Sequence, residues 1–140
     1  MAGYQHILLA IDVCAEYQTV IDKALDIAGK NTRLSVIHIV EPIYYPESYV
    51  GALTVDLQQK AVEFAESELN HLVEKYQMEG KHIDVGSPPR KIRDYAKSVD
   101  ADLIVVGSHG KHGVQLLLGS TASGVLHGAH CDVLAVRVVE

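Results

Sequence analysis

A doubly wound α/β fold with a parallel sheet is predicted by three features of this sequence. Short apolar runs alternate along the chain with longer stretches whose apolar residues recur at helical spacing. The runs His6 to Ile11 and Leu103 to Val106 are continuously apolar, as strands buried on both faces require. The first strand, helix and strand fit within about 35 residues, the size of a βαβ unit. At 140 residues the chain is expected to form one domain, 1–140, with a single sizeable core.

Each element has its own justification. His6-Ile-Leu-Leu-Ala-Ile11 reads as a central strand that Asp12 closes. From Tyr17, the residues Val20, Ile21, Ala24, Leu25 and Ala28 keep helical spacing until Gly29 stops the helix. Leu34 to Val40 is the second strand, rich in Val and Ile. Glu41-Pro-Ile-Tyr-Tyr-Pro-Glu-Ser-Tyr-Val-Gly51 cannot be a regular helix and exceeds the usual βα connection, a length often associated with function. A long helix over roughly Val55 to Glu79 would turn Leu57, Ala61, Phe64, Ala65, Leu72, Val73 and Tyr76 inward and end at Gly80. Lys81 to Val85 is a third strand whose weak apolar content suggests a sheet edge. Gly86-Ser-Pro-Pro-Arg90 starts a third helix, with Ser87 as N-cap, Pro88 in the first turn, and Ile92, Tyr95, Ala96 and Val99 on one face. Leu103 to Val106 is strand four. Ala122, Val125, Leu126 and Ala129 pattern the last helix, and Asp132 to Val139 forms strand five.

Composition narrows the function classes. A hydrophobic content of 48% rules out a disordered chain. The net charge of −6, with Lys and Arg scattered, argues against a nucleic-acid partner. No apolar stretch reaches the roughly 18 residues of a membrane span, and no basic leader precedes the first strand. The expected location is therefore the cytoplasm. Cys14 and Cys131 lack the spacing of a disulfide framework. Cys14 stands before a helix start, which can lower a thiol pKa, but is expected to be a small buried residue; Cys131 is expected in the core.

The chemistry-bearing stretch is Asp102-Leu-Ile-Val-Val-Gly-Ser-His-Gly-Lys-His-Gly-Val-Gln-Leu-Leu-Leu-Gly-Ser-Thr-Ala122. A strand ends at Gly107, glycines follow at 110 and 113, and Gly119-Ser120-Thr121 precedes a helix. Such a loop lets backbone N–H groups approach an anion, which the helix N-terminus attracts. Open α/β sheets bind ligands beyond the carboxyl ends of strands where strand order reverses. If that order is 3-2-1-4-5, Asp12 and Gly107 flank the crevice. Asp12 then either receives ribose hydroxyls or helps hold Mg²⁺, or it caps the first helix; both readings stand. His109, Lys111 and His112 could face phosphates from the loop. The sequence lacks the dinucleotide-binding glycine pattern in the first β–α turn and lacks a P-loop. The histidines lack zinc-site spacing, and no catalytic residue is assigned.

On these residues the chain resembles the universal stress protein family over nearly its whole length. The carriers are Tyr4-Gln-His-Ile-Leu-Leu-Ala-Ile-Asp12, Ala24-Leu-Asp-Ile-Ala28, Leu34-Ser-Val-Ile-His-Ile-Val40 and the Gly86-Ser-Pro-Pro-Arg90 turn. The most specific are Asp102-Leu-Ile-Val-Val-Gly-Ser-His-Gly110, Leu116-Leu-Leu-Gly-Ser-Thr121 and His130-Cys-Asp-Val-Leu-Ala-Val136. The resemblance implies a five-stranded, adenine nucleotide alpha hydrolase-like sheet of order 3-2-1-4-5. It also implies a cytoplasmic homodimer paired through the last strand, Val133 to Val138. Nucleotide-binding members carry G-x2-G-x9-G-S/T. Gly107, Gly110, Gly119 and Ser120 match it, with Thr121 following and His109 inside the loop. Asp12 matches the ribose- or metal-side aspartate, and Ile39 and Val106 match adenine-side apolar positions. Eight residues separate Gly110 from Gly119 where the pattern has nine, and Asp12-Val-Cys14 replaces the common Asp-x-Ser. The implied ligand is ATP or AMP, with Mg²⁺ held through the nucleotide, and hydrolysis at most slow. The implied role is stress sensor or regulator, with the protein partner unknown. A stress protein working through protein–protein contacts, without nucleotide, is the alternative.

Overall fold

Strands with no polar side need cover on both faces, and four helices supply it. The computed structural model describes residues 3–42, 51–108 and 118–138. Its elements alternate as β1 (His6–Ala10), α1 (Gln18–Ile27), β2 (Arg33–Val40), α2 (Gly51–Tyr76), β3 (Gly80–Val85), α3 (Pro88–Ser98), β4 (Leu103–Gly107), α4 (Ser120–Gly128) and β5 (Asp132–Val136). They build a five-stranded sheet of order β3-β2-β1-β4-β5, with every neighbouring pair parallel. The expected fold class and strand order are both present. Leu9 sits in register between Val36 and Val105, so the middle of the sheet is apolar across three strands.

Period-two alternation divides the core into two layers. Ile7 and Leu9 face α1 and α2, meeting Val20, Ile21 and Ala24 from one helix and Ala65, Leu69 and Leu72 from the other. Leu8 and Ala10 face α3 and α4, meeting Ile92, Ala96, Ala122 and Val125. Burying each large aliphatic side chain contributes about 1.5–3 kcal/mol, so β1, buried along its whole length, anchors both layers.

The packing of α4 against α3 fixes where α4 begins. A Cβ added to Gly124 would lie 2.5 Å from the Pro89 Cβ, and one on Gly128 would lie 2.7 Å from the Arg93 guanidinium. The two glycines, one helical turn apart, form a flat strip on which Pro89 and Arg93 rest. Arg93 Nη1 also donates to the Gly124 carbonyl at 2.6 Å.

At the opposite end of the sheet a polar latch joins the starts of the strands. The Asp102 carboxylate accepts from the Gln5 and His6 backbone N–H groups at 2.8 and 2.9 Å. The buried His6 ring bridges the Val99 carbonyl at 3.0 Å and the Ser35 hydroxyl at 2.7 Å. With Nδ1–H donating to the carbonyl, Nε2 accepts from Ser35, so both ring nitrogens are satisfied.

Several expectations need correction. The long helix ends at Tyr76, and Gly80 opens β3 instead of stopping α2. Gln77, at φ 55°, takes the left-handed position that glycine usually fills, and Met78 N–H donates to the Val73 carbonyl at 3.0 Å. Asp100 repeats the device after α3: its φ is 55° and Ala101 N–H reaches the Ala96 carbonyl at 2.9 Å. Both helices therefore close by Schellman motifs on non-glycine residues. Leu57 and Phe64 were expected inward but are 36% and 49% exposed. Leu57 and Phe64, seven residues apart, lie on one flank of α2, beside the stripe of Ala65, Leu69 and Leu72 that meets the core. Cys14 is exposed rather than buried. Cys131 is partly buried against the second layer, and burial, then Asp132 and Asp102, pushes its thiol pKa up. Ser87 occupies the N-cap of α3 without a side-chain bond. Pro88 and Pro89 follow it and have no N–H to offer. β1 and β5 end at Ala10 and Val136, short of the expected Ile11 and Val139.

Candidate functional site

β1, β2 and β4 lie side by side, and their carboxyl ends open into one crevice where the strand order reverses. A cavity of about 260 Å³ occupies it, close to the lower end of the roughly 300–1,000 Å³ typical of small-molecule sites. One wall is Asp12, with Ala15 and Glu16 from the β1–α1 connection. A second is Ile39 and Glu41 at the end of β2. A third is Val106 and Gly107 at the end of β4, and the fourth is Gly119 to Ala122 at the start of α4.

Local sequence explains each wall. The ladder between β1 and β2 runs through Ala10, and Ile11 N–H still donates to the Ile37 carbonyl at 3.1 Å. The chain then turns at Asp12. The Asp12 carbonyl accepts from Ala15 N–H at 3.0 Å, and Asp12 Oδ1 accepts from Cys14 N–H at 2.9 Å. This is an Asx-type turn. It removes the helix-cap reading of Asp12, because the N-cap position of α1 belongs to Tyr17 and carries no side-chain cap bond. Asp12 folds its own loop and leaves its second oxygen outside those hydrogen bonds.

Opposite Asp12, Gly119 is the N-cap of α4, at φ −62° and ψ 158°, and has no side chain with which to cap. Gly119 N–H is itself engaged by the Ser108 carbonyl at 2.6 Å, and Ser108 N–H by Val136 at 2.7 Å. These bonds tie the helix start to the ends of β4 and β5. The first backbone N–H groups of the helix, from Ser120 onward, have no intrahelical acceptor. They and the helix dipole make that wall receptive to an anion.

The structure brings together Asp12, Ile39, Val106, Gly107, Gly119, Ser120 and Thr121 as lining residues of this one cavity. Ile39 and Val106 are buried and supply an apolar floor. His109 and Gly110, with Lys111, His112 and Gly113, lie outside the described residues.

Reading the sequence missed other lining residues. Glu16, Tyr17, His38, Glu41, Pro88 and Ile92 all contribute. Tyr17 donates its hydroxyl to Glu68 at 2.9 Å, and burial, followed by that bond, raises its pKa. His38 was legible as the one polar side chain within the apolar run Val36 to Val40; Pro88 was legible in the turn before α3. Glu16 and Tyr17 carried no local signal. Among the described residues, no group of three or more His, Cys, Asp or Glu side chains could hold a metal ion. A cation here would share Asp12 with ligand oxygens. That suits Mg²⁺, which takes one or two carboxylates alongside phosphate oxygens.

These features define a class: a doubly wound α/β protein with an anion-receptive cavity at the switch point of its sheet. A family model described as "Universal stress protein family" matches residues 3–137. "Universal stress protein A homolog 2" of Coxiella burnetii is 40% identical over 144 residues, covering 99% of this chain and 98% of its own length. The chain belongs to the universal stress protein family. Among solved structures, universal stress protein UspA from Lactobacillus plantarum superposes with a TM-score of 0.84 at 25% identity, covering 98% of this chain and 100% of that one. A universal stress protein solved in complex with cAMP gives a TM-score of 0.57 at 25% identity, covering 96% and 98%.

Proposed function

We propose that this protein binds an adenine nucleotide, ATP or AMP, in the switch-point cavity and acts as a homodimeric stress sensor or regulator in the cytoplasm. The observation that carries the reading is the start of α4, uncapped by any side chain, standing across one cavity from Asp12. In this reading the phosphates meet the N–H groups after Gly119, the ribose hydroxyls donate to Asp12, and adenine rests between Ile39 and Val106. His109 and Gly110 are assigned to the same site in this reading by their place in the family motif. The relative solved with cAMP supports an adenine ligand of this kind. Mg²⁺, when bound, neutralises phosphate charge, and Asp12 is the side chain that would hold it. The role is binding, with hydrolysis at most slow.

The sheet edges support the dimer. Edge β3 carries Lys81 and Asp84, charges of the kind that block pairing with another chain. Edge β5 carries only Asp132 before Val133, Leu134, Ala135 and Val136. A two-fold pairing over Val133 to Val138 satisfies its open ladder. The alternative, a protein that works through protein contacts without nucleotide, draws on the exposed Val55 and Phe64 of α2. No helix among the described residues is long and apolar enough to cross a membrane.

Isothermal titration of ligand-stripped protein with ATP and AMP, with and without Mg²⁺, tests the reading. Binding in the micromolar range is expected, and Gly119→Val should abolish it. Absence of heat at tens of micromolar protein refutes the nucleotide reading. A native mass spectrum reports dimer and retained nucleotide together, and a monomer at micromolar concentration overturns the dimer.

A further inference from the structure

We infer that His38 is a positioning residue that holds the Asp12 carboxylate in its place in the cavity, an inference that rests on the reading of this cavity as the nucleotide site. After Ala10 the β1–β2 ladder ends, yet Ile11 and Val13 are both buried. Their peptide groups still need partners, because buried backbone groups are almost never left unpaired. The His38 ring, from the neighbouring strand, supplies one. Its Nδ1 lies 3.1 Å from the Ile11 carbonyl oxygen and 3.3 Å from the Val13 nitrogen. Those two groups belong to the peptides on either side of Asp12.

A histidine nitrogen suits this place for a chemical reason. Protonated, Nδ1 donates to the Ile11 carbonyl; unprotonated, it accepts from the Val13 N–H. Either tautomer ties the turn to β2. The ring is 8% exposed, so packing holds it and the tether is short. The tether reaches the carboxylate through the Asx turn, in which Asp12 Oδ1 accepts from Cys14 N–H at 2.9 Å. Strand β2 thus acts on both sides of the ligand. Ile39 forms part of the apolar floor, and His38, its neighbour on the opposite face of the strand, fixes the acidic wall.

The test combines binding with amide exchange on the full chain. His38→Leu keeps the bulk and removes Nδ1. It should weaken AMP binding by about tenfold, the fold-change of one lost hydrogen bond. It should also speed exchange of the Val13 and Cys14 amides while leaving Leu9, inside β1, protected. His38→Asn, whose side-chain amide occupies the place of Nδ1, should restore both. In an Asp12→Ala background His38→Leu should change AMP affinity by less than about twofold, since coupled residues are non-additive. Should the Leu variant not fold, His38→Gln, which moves the polar atoms out toward Nε2, serves as the loss variant. Unchanged exchange of both Val13 and Cys14 overturns the inference, as does a full tenfold loss persisting without the Asp12 carboxylate. If the wild type binds no AMP, the nucleotide reading fails on that result alone, and the exchange of Val13 and Cys14 decides whether His38 positions the turn.

Discussion

Gly124→Ala sets two effects of opposite sign against each other. Alanine in a helix interior is favoured over glycine by about 0.8–1.0 kcal/mol, so the exchange alone should stabilise α4. The structure predicts the reverse. The new Cβ would lie 2.5 Å from the Pro89 Cβ and 2.8 Å from its Cγ, about 1 Å inside ordinary carbon contact. Neither atom can rotate away, because one is fixed to the α4 backbone and the other belongs to a proline ring. Overpacking of this kind costs about 1–3 kcal/mol, and the rigidity of both partners places it near the upper end. The net expectation is a loss of about 1–2 kcal/mol. At an unfolding entropy of about 2.1 cal/mol/K per residue, 1 kcal/mol moves the Tm of a chain this size by about 3–4 °C. Calorimetry should show Gly124→Ala melting about 3–7 °C below wild type. A Tm raised by some 3 °C would mean that α3 and α4 are not in the contact described, and would refute the packing argument. Because α4 presents Gly119 to Ala122 to the cavity, the same variant should also weaken nucleotide binding.

Three further outcomes are expected. Gln77→Gly should raise stability by up to about 1 kcal/mol, as glycine removes the strain of a left-handed residue less its own extra chain entropy; urea denaturation checks it, and a loss would show that the Gln77 side chain holds more than its bond to the Glu74 carbonyl. His6→Leu should cost about 2–4 kcal/mol by stranding the Val99 carbonyl and the Ser35 hydroxyl, and adding Ser35→Ala should return part of that loss in the same assay. Asp84 accepts from Val85 N–H at 2.8 Å and faces Lys91 at 3.1 Å, which lower its carboxyl pKa in that order of importance. A carboxyl depressed on folding stabilises above its unfolded pKa of about 3.9 and loses that contribution as pH falls through the folded value. The Tm of wild type should therefore fall more steeply below about pH 4 than that of Asp84→Asn, and parallel profiles would refute the assignment.

The sequence by itself determined the order of elements, the class of fold and the ends of the strands where a ligand would sit. Those properties live in short-range patterns. Continuous apolar runs mark doubly covered strands, helical spacing marks their cover, and Gly107, Gly119 and Ser120 announce an anion-receptive helix start before any contact is known. The residue matches to the family were equally local. Tertiary structure alone decided which stripe of α2 faces the sheet, and so why Leu57 and Phe64 lie outside it although their spacing points in. It alone showed that Gln77 and Asp100 terminate helices, since left-handed backbone on a non-glycine residue is imposed by the carbonyls it must satisfy, not by its own preference. Asp12 gained its distinction from a helix cap only when Cys14 N–H was seen on its carboxylate and Tyr17 at the start of α1. Glu16 and Tyr17 entered the cavity through chain crossings that no spacing encodes. A pattern along the chain specifies which face of an element is apolar; which residues meet across a crevice depends on the lengths and angles of the elements around it.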